Sequence, residues 1–596
     1  MGDPSTRVPP SEGSPETRLD SWKEIATYVK RDVTTVQRWE KREGMPVHRH
    51  LHDKRGSVYA FSSELDAWLQ TRRQQLEEEE RESQTALVTE GLTGVRQPPR
   101  ARHWLVLCSA VALLLAGVAY IIIRNRQRPA PRPQITSIAV LPLKNLSGDA
   151  TQEYLADGMT EELIGRFSAI RGLRVISRTS AMHYKDTKLS IPEIAETLHA
   201  DAFVEGSVIR EGSRIRVHAQ LIRASTDEHF WSETYDRELK DVLALESEIA
   251  QAIAAKVEVT VSGKERTTLV ASRHVAPGVY ESYLKGTSRL DKANTRDDVE
   301  TSIAYFNEAI RKDPTFAPTY VGLAEAYDDL GTVAMGGGSP AEIRPKIVAA
   351  ARKALELDPG LADAHILLGD MHKKEWEWAE AETEYKVALD LRPNDPGAHE
   401  GYATWLMCQG RLDEALVWSQ RARELDPIGV KGVWQGWLLF QAHRFDESIR
   451  QLQGLGAVYP DDSEIPSTLA FALIGAGRSR EAIPLMEKMA TVTHRSPGSI
   501  EMLAVAYAHA GRRAEALRLL DELKRRREKG YVPPGAFINP TLALGEYDEA
   551  FVWFERAYQE KSNILQFSKV HPFFDPVRND PRFKDLLHRV GLDKTY

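Results

Sequence analysis

The sequence predicts a multidomain, mainly α protein: a winged helix–turn–helix head, one transmembrane helix, an α/β domain and an all-α repeat solenoid. Three observations carry that prediction. The second half of the chain repeats with a period near 34 residues, residues 104–123 form an apolar run without a charge, and residues 135–262 alternate strand-like and helix-like segments. The 596 residues suffice for several domains at about 100–200 residues each. A net charge of -8 excludes a protein that coats nucleic acid along its whole surface, so any DNA contact has to come from a local patch. Cys108 and Cys408 are the only cysteines and lie far apart, which excludes a disulfide scaffold.

Residues 1–17 are polar and Pro-rich, read as disordered, and carry no secretory signal. Residues 18–73 form the head. Trp22, Ile25, Ala26 and Val29 fall at helical spacing. Lys30-Arg31-Asp32 breaks the pattern, with Asp32 placed to cap a second helix whose buried side is Val33, Val36 and Trp39. Its other side carries Thr34, Gln37, Arg38 and Lys41, with Thr35 and Arg42 at the margins. Guanidinium suits guanine and phosphate, amide suits adenine, and hydroxyls suit the sugar-phosphate backbone. His48 to Phe61 alternates around Asp53-Lys54-Arg55-Gly56, a hairpin signal, and forms a wing with Lys54 and Arg55 at its tip. Glu64 to Leu69 closes the unit as a short amphipathic helix. Between Lys30 and Arg55 eight Lys/Arg face four Asp/Glu, a net +4 on an acidic chain.

These residues resemble the winged helix–turn–helix of the MerR and phage-excisionase class. The similarity rests on Trp22-Lys23-Glu24-Ile25-Ala26, Thr35-Val36-Gln37-Arg38-Trp39-Glu40 and Gly44-Met45-Pro46. The resemblance implies that the second helix enters the major groove and the wing grips the backbone. The expected DNA-binding residues are therefore Thr34, Thr35, Gln37, Arg38, Lys41, Arg42, Arg49, Lys54 and Arg55. The alternative is a small helical domain that binds protein with the same face. His48, His50 and His52 share a strand face, but no cysteine or acidic cluster accompanies them, so no metal site is assigned.

A linker, residues 74–103, leads to Trp104–Ile123, 20 residues without a charge. That matches the roughly 20 helical residues a bilayer core requires. Arginines flank the run on both sides and set no orientation. A DNA-binding head would put the N-terminus in the bacterial cytoplasm and the C-terminal region in the periplasm, with one pass through the inner membrane. A second linker spans 124–134.

Residues 135–262 read as α/β. Ile135–Pro142 and Leu173–Ser177 are strands, Ala156–Ala169, Ile191–Leu198 and Val242–Val257 are helices, and Ala202–Arg210 with Arg214–Arg223 form a hairpin about Glu211-Gly212-Ser213. The domain resembles the TolB amino-terminal-like (FlgO-like) domain in Ala139-Val140-Leu141-Pro142-Leu143, Asp157-Gly158-Met159-Thr160-Glu161-Glu162, Val175-Ile176-Ser177-Arg178 and Phe203-Val204-Glu205-Gly206-Ser207. The resemblance implies interaction or assembly rather than a reaction. Asp157, Glu161 and Glu162 sit at an expected helix start, where acids favour the dipole.

From Pro277 to residue 568 the chain reads as about eight helix pairs, with 569–596 as a cap. Pro314, Pro359, Pro393, Pro427 and Pro460 recur at 45, 34, 34 and 33 residues; Ala381, Ala415, Ser448, Ala482, Ala516 and Ala550 recur at 34, 33, 34, 34 and 34. Period 34 identifies tetratricopeptide repeats, whose Ala or Gly lets two helices approach and whose Pro stops the second. The 11-residue excess near Gly336-Gly337-Gly338-Ser339-Pro340 reads as a loop. Such arrays bind proteins or peptides. Trp376, Trp378, Trp405, Trp434 and Trp437 read as packing residues.

No phosphate-binding loop, dinucleotide fingerprint, zinc spacing or nucleophile elbow occurs, so no enzyme, catalytic residue or cofactor is assigned. The order of parts resembles some class III adenylate cyclases with the cyclase domain missing. The whole resembles the ToxR/CadC type of membrane-embedded transcriptional regulator with a MerR-like head. It implies DNA, the membrane and a protein on the array as partners, and a homodimer. The alternative is a membrane-tethered tetratricopeptide scaffold whose head binds protein.

Overall fold

The computed structural model describes residues 18–49, 58–72, 134–257, 259–270, 275–331, 340–429, 431–460, 462 and 464–594. They belong to two compact units, Met1–Pro131 and Arg132–Tyr596.

In the first unit, strand β1 (Arg18–Leu19) precedes helices α1 (Trp22–Tyr28) and α2 (Val33–Glu43). Strands β2 (His48–Arg49) and β3 (Val58–Phe61) follow, then helix α3 over residues 62–72. Ser21 caps α1 by accepting from the Glu24 N–H at 3.2 Å, while the Glu24 carboxylate accepts from the Asp20 N–H at 2.8 Å. Lys30 takes the left-handed φ of 53° that ends α1. Asp32 caps α2 as its position predicts, and Gly44, at φ 66°, ends it. Sheet order is β1-β3-β2, all antiparallel. The core is Ile25, Ala26, Val36, Trp39, Met45, Val58, Ala60 and Leu65. Val33, expected on the buried side, is instead exposed.

The second unit begins with a mixed sheet. Strands β4 (Ser137–Val140), β5 (Lys144–Asn145) and β6 (Arg174–Val175) run parallel to their neighbours; β7 (Ala202–Glu211), β8 (Arg214–Arg223) and β9 (Glu228–Glu238) form an antiparallel meander. The order is β6-β4-β7-β8-β9, with β5 extending the edge of β4 along β7. The predicted hairpin holds its register from Ala202↔Arg223 to Glu211↔Arg214, and Gly212 supplies the φ of 62° its turn needs. Helices α4 (Glu153–Ser168) and α7 (Val242–Val257) cover one face, sealing Val140, Met159, Phe167, Val204 and Ile249. Helices α5 (Arg178–Met182) and α6 (Ile191–Leu198) lie by the other, where Leu141, Ile194, Leu198 and Phe203 are buried. Burial of a side chain such as Phe167 stabilises the fold by about 2–3 kcal/mol. A short helix α8 (Gly263–Val270) leads to the array.

Eight helix pairs follow among the described residues, from Pro277–Asp291 with Arg296–Lys312 to Gly535–Ala543 with Tyr547–Gln559. Their packing rests on glycine facing an aromatic ring. A Cβ at Gly401 would lie 2.5 Å from Tyr385, and one at Gly369 2.9 Å from the same ring; Gly286 and Gly322 bracket Phe306 in the same way. Repeated arginine–glutamate pairs clamp the start of four second helices: Arg411–Glu414, Arg444–Glu447, Arg478–Glu481 and Arg512–Glu515. Trp378 and Trp405 are buried, and Trp376, Trp434 and Trp437 pack against the same core. The glycine-rich loop before Pro340 lies outside the described residues.

The α/β domain packs on the loops where prolines stop the second helices. The Ser177 N–H donates to the Leu425 carbonyl at 2.7 Å, and the Asn394 N–H donates to the Ser168 carbonyl at 3.2 Å. Ser177 and Ser180 hydroxyls both donate to buried Asp426 at 2.6 Å. Asn394 Nδ2 donates to the Ile170 carbonyl at 2.8 Å.

The predicted fold class needs one correction. Among the described residues no helix is long and apolar enough to cross a membrane. The run 104–123 on which that element rested lies outside them. The fold is mainly helical, with the solenoid as its largest part, and the transmembrane helix is withdrawn. The single-pass inner-membrane location, with cytoplasmic N-terminus and periplasmic C-terminal region, depended on that helix and is withdrawn with it.

Candidate nucleic-acid interface

Helix α2 is fixed from behind. Val36 and Trp39 are buried in the head core, Trp39 lies 5.6 Å from Trp68, and Arg72 stacks 4.3 Å over Trp39 while pairing with Glu43 at 2.6 Å. Trp68 Nε1 donates to the Glu43 carbonyl at 3.1 Å. Helix α3 therefore holds α2 by its last turn and leaves the opposite face to solvent.

On that face the structure brings together Thr34, Arg38 and Lys41, at spacings of four and three, with Arg42 beside them. All four are exposed. Arg38, Lys41 and Arg42 form no ion pair among the described residues. Gln37 is half-buried at the edge of the row. Thr35 plays another part: its N–H and hydroxyl donate to the Asp32 carboxylate at 2.8 and 2.7 Å, which holds that carboxyl below the usual range. The predicted hydroxyl contact is thus committed to capping. Lys41 and Arg42 also complement the negative C-terminal end of α2.

The wing is partly in view. Arg49 lies in β2 opposite Val58. Lys54 and Arg55 lie outside the described residues. His48 bonds Glu64 at 2.7 Å and stacks 5.2 Å from Tyr59, so it serves the fold. His50 and His52 lie outside the described residues, and among those described no cluster suits a metal ion. Two cations at the expected turn, Lys30 and Arg31, stand exposed just before the cap of α2. Their signal was the break in helical spacing next to a basic pair.

The acids of α4 each meet a cation. Asp157, 2% exposed, is bonded to Lys185; Glu162 pairs with Arg166 at 2.8 Å; Glu161 lies 3.5 Å from Arg178. The helix starts at Glu153, so Asp157 sits in its second turn and Glu161 and Glu162 in its third, not at its first.

Residues 134–252 match the family described as HilA/YgeH-like transcriptional regulator, second domain, and residues 498–533 match the tetratricopeptide repeat. The chain is 31% identical over 247 residues to putative adenylate cyclase 3 of Rhizobium meliloti (strain 1021), which covers 40% of each protein. It is 24% identical over 180 residues to the type IV pilus assembly protein PilF of Pseudomonas aeruginosa, 27% of this chain and 70% of that one. Among solved structures, a tetratricopeptide repeat protein from Parabacteroides merdae ATCC 43184 matches at 15% identity and a TM-score of 0.34, over 45% of this chain and 98% of its own. The chain spans 40% of the length of the first curated relative it matches. The two family matches place a regulator-type domain and a tetratricopeptide repeat in one chain.

Proposed function

We propose that this protein is a DNA-binding transcriptional regulator whose α2 enters the major groove and whose tetratricopeptide array binds a protein partner. The observation that carries the reading is the row Thr34, Arg38, Lys41 and Arg42: three cations without ion pairs among the described residues, on a helix buried along its other side. The regulator-family match of residues 134–252 supports it from an independent part of the chain. On this reading the head works as a MerR/excisionase-like winged helix–turn–helix. Arg38 and Gln37 reach base edges, and Lys41, Arg42, Lys30, Arg31 and the wing residues Arg49, Lys54 and Arg55 contact phosphates. Residues 18–73 are the DNA-binding domain, 135–262 a TolB-N-like coupling domain, 277–568 the array and 569–596 its end. Two half-sites one helical turn apart fit a homodimer.

No residue is assigned to catalysis. The test is operator selection by the full chain from random duplex DNA, followed by binding to the selected site. Sequence-selective binding lost in Arg38→Ala supports the reading. Selection that returns no common sequence contradicts it and turns the basic face into a protein-binding one.

A further inference from the structure

The first helices of six consecutive pairs face one internal segment of the chain. Helices Ala362–Lys374 and Pro396–Cys408 pack on Asn563–Phe567, and Gly535–Ala543 packs on Pro572–Val577. Between them, Trp437 and Phe440 lie 5.8 and 5.7 Å from His571, Phe471 stacks 5.6 Å from Phe573, and His509 lies 5.9 Å from Phe573. Residues 563–577 therefore fill the bore of the array with Phe567, His571, Phe573 and Phe574. They do so as two short 3-10 turns and not as a further repeat.

Two features separate this segment from ordinary core. Gln409 and Gln441, at the ends of two bore helices, are buried with both side-chain amide atoms lacking a hydrogen-bond partner among the described residues. Gln566 Oε1, Ser568 Oγ and His571 Nε2 on the segment itself are in the same condition. Buried polar groups are normally paired, so these side chains hold hydrogen-bonding capacity that the described residues do not use. The entrance is closed by a polar latch. Lys561, at a left-handed φ of 47°, pairs with Glu375 at 2.5 Å, and Arg344 bridges Glu375, the Lys561 carbonyl and Asn563.

We propose that this bore is the protein-binding surface of the array and that residues 563–577 occupy it as an internal ligand. The partner that replaces them is an extended peptide segment with closely spaced aromatic side chains and backbone groups that bond Gln409 and Gln441. This rests on the reading of the array as a protein-binding module, and it assigns that module its surface and the chemistry of its ligand.

The probe is a labelled synthetic peptide of residues 561–579, titrated by fluorescence anisotropy into the full chain. In Lys561→Glu the latch carries like charge against Glu375 while the bore lining is untouched. The peptide is expected to bind that variant at least tenfold more tightly than wild type. A peptide with Phe573 and Phe574 changed to Ala is expected not to bind. No binding of the native peptide to either chain overturns the proposal. Should Lys561→Glu not fold, hydrogen exchange of the wild-type chain decides. Exchange of 563–577 faster than of helices 396–408 and 431–441 supports it, and equal protection overturns it. DNA binding is measured on the same samples. A failed peptide with DNA binding intact removes the bore as the binding surface and leaves the regulator; lost DNA binding with a bound peptide does the reverse.

Discussion

At the residue scale, what is legible depends on whether a side chain's role is set by its position on one element. The exposed placement of Arg38 and Lys41 is readable because helical spacing alone sends them away from Val36 and Trp39. Thr35 was not, because its hydroxyl answers to Asp32 three residues earlier, a local bond that competes with any DNA contact. His571 gave no signal at all, since Trp437, Phe440 and Phe471, which pack on it beside its neighbours Phe573 and Phe574, stand about a hundred residues or more earlier in the chain. Burial among aromatic rings pushes its imidazole down to about 3. The unfolded chain takes up a proton below about 6.5 and the folded chain does not until near 3. Stability supplied by this group is therefore complete above the unfolded value and is lost as pH falls through that window. The expected loss is about 1.4 kcal/mol per pH unit. Replacing His571 with Phe is expected to flatten the urea midpoint between pH 6 and pH 4, measured against wild type. An unchanged slope would assign the acid sensitivity to other groups.

At the element scale, periodic segments were legible and short or two-sidedly polar ones were not. The helix pairs announce themselves by period, and the hairpin β7–β8 by alternation around Gly212. Strand β9 carries Glu228, Glu233, Asp236, Arg237 and Glu238 and alternates no apolar face, so only pairing with β8 makes it a strand. Strand β1 is two residues long and exists because β3 offers an edge. Two glycines allow tests. Gly44→Ala forces a Cβ into a left-handed cap, expected to cost about 1 kcal/mol and to lower the melting temperature of the head. Gly401→Ala drives a methyl to within 2.5 Å of Tyr385. That overpacking is expected to cost about 1–3 kcal/mol in urea unfolding of the array. A neutral result there would mean that the ring has room to move.

At the scale of the whole molecule, the sequence shows which parts exist but not how they join. Nothing in the local pattern of Ser177, Ser180 and Asp426 says that they meet, because some 250 residues separate them. The same holds for the tail, which the structure places against the first helices of the pairs. Asp426→Ala leaves two buried hydroxyls without their acceptor. It is expected to cost about 2–4 kcal/mol and to split one unfolding transition of the second unit into two, followed by calorimetry. A single unshifted transition would mean that the α/β domain and the array are held together elsewhere.

The central claim is that α2 reads DNA, and the most direct test is a salt series of DNA binding by the full chain, wild type beside Arg38→Ala and Lys41→Ala. The account predicts sequence-selective binding that weakens with salt. Lys41→Ala should lower affinity on all sequences and reduce the salt slope by about 1, and Arg38→Ala should cost about 1–3 kcal/mol with relaxed selectivity. Binding that is the same in all three proteins, or no selective binding at any salt, would contradict it.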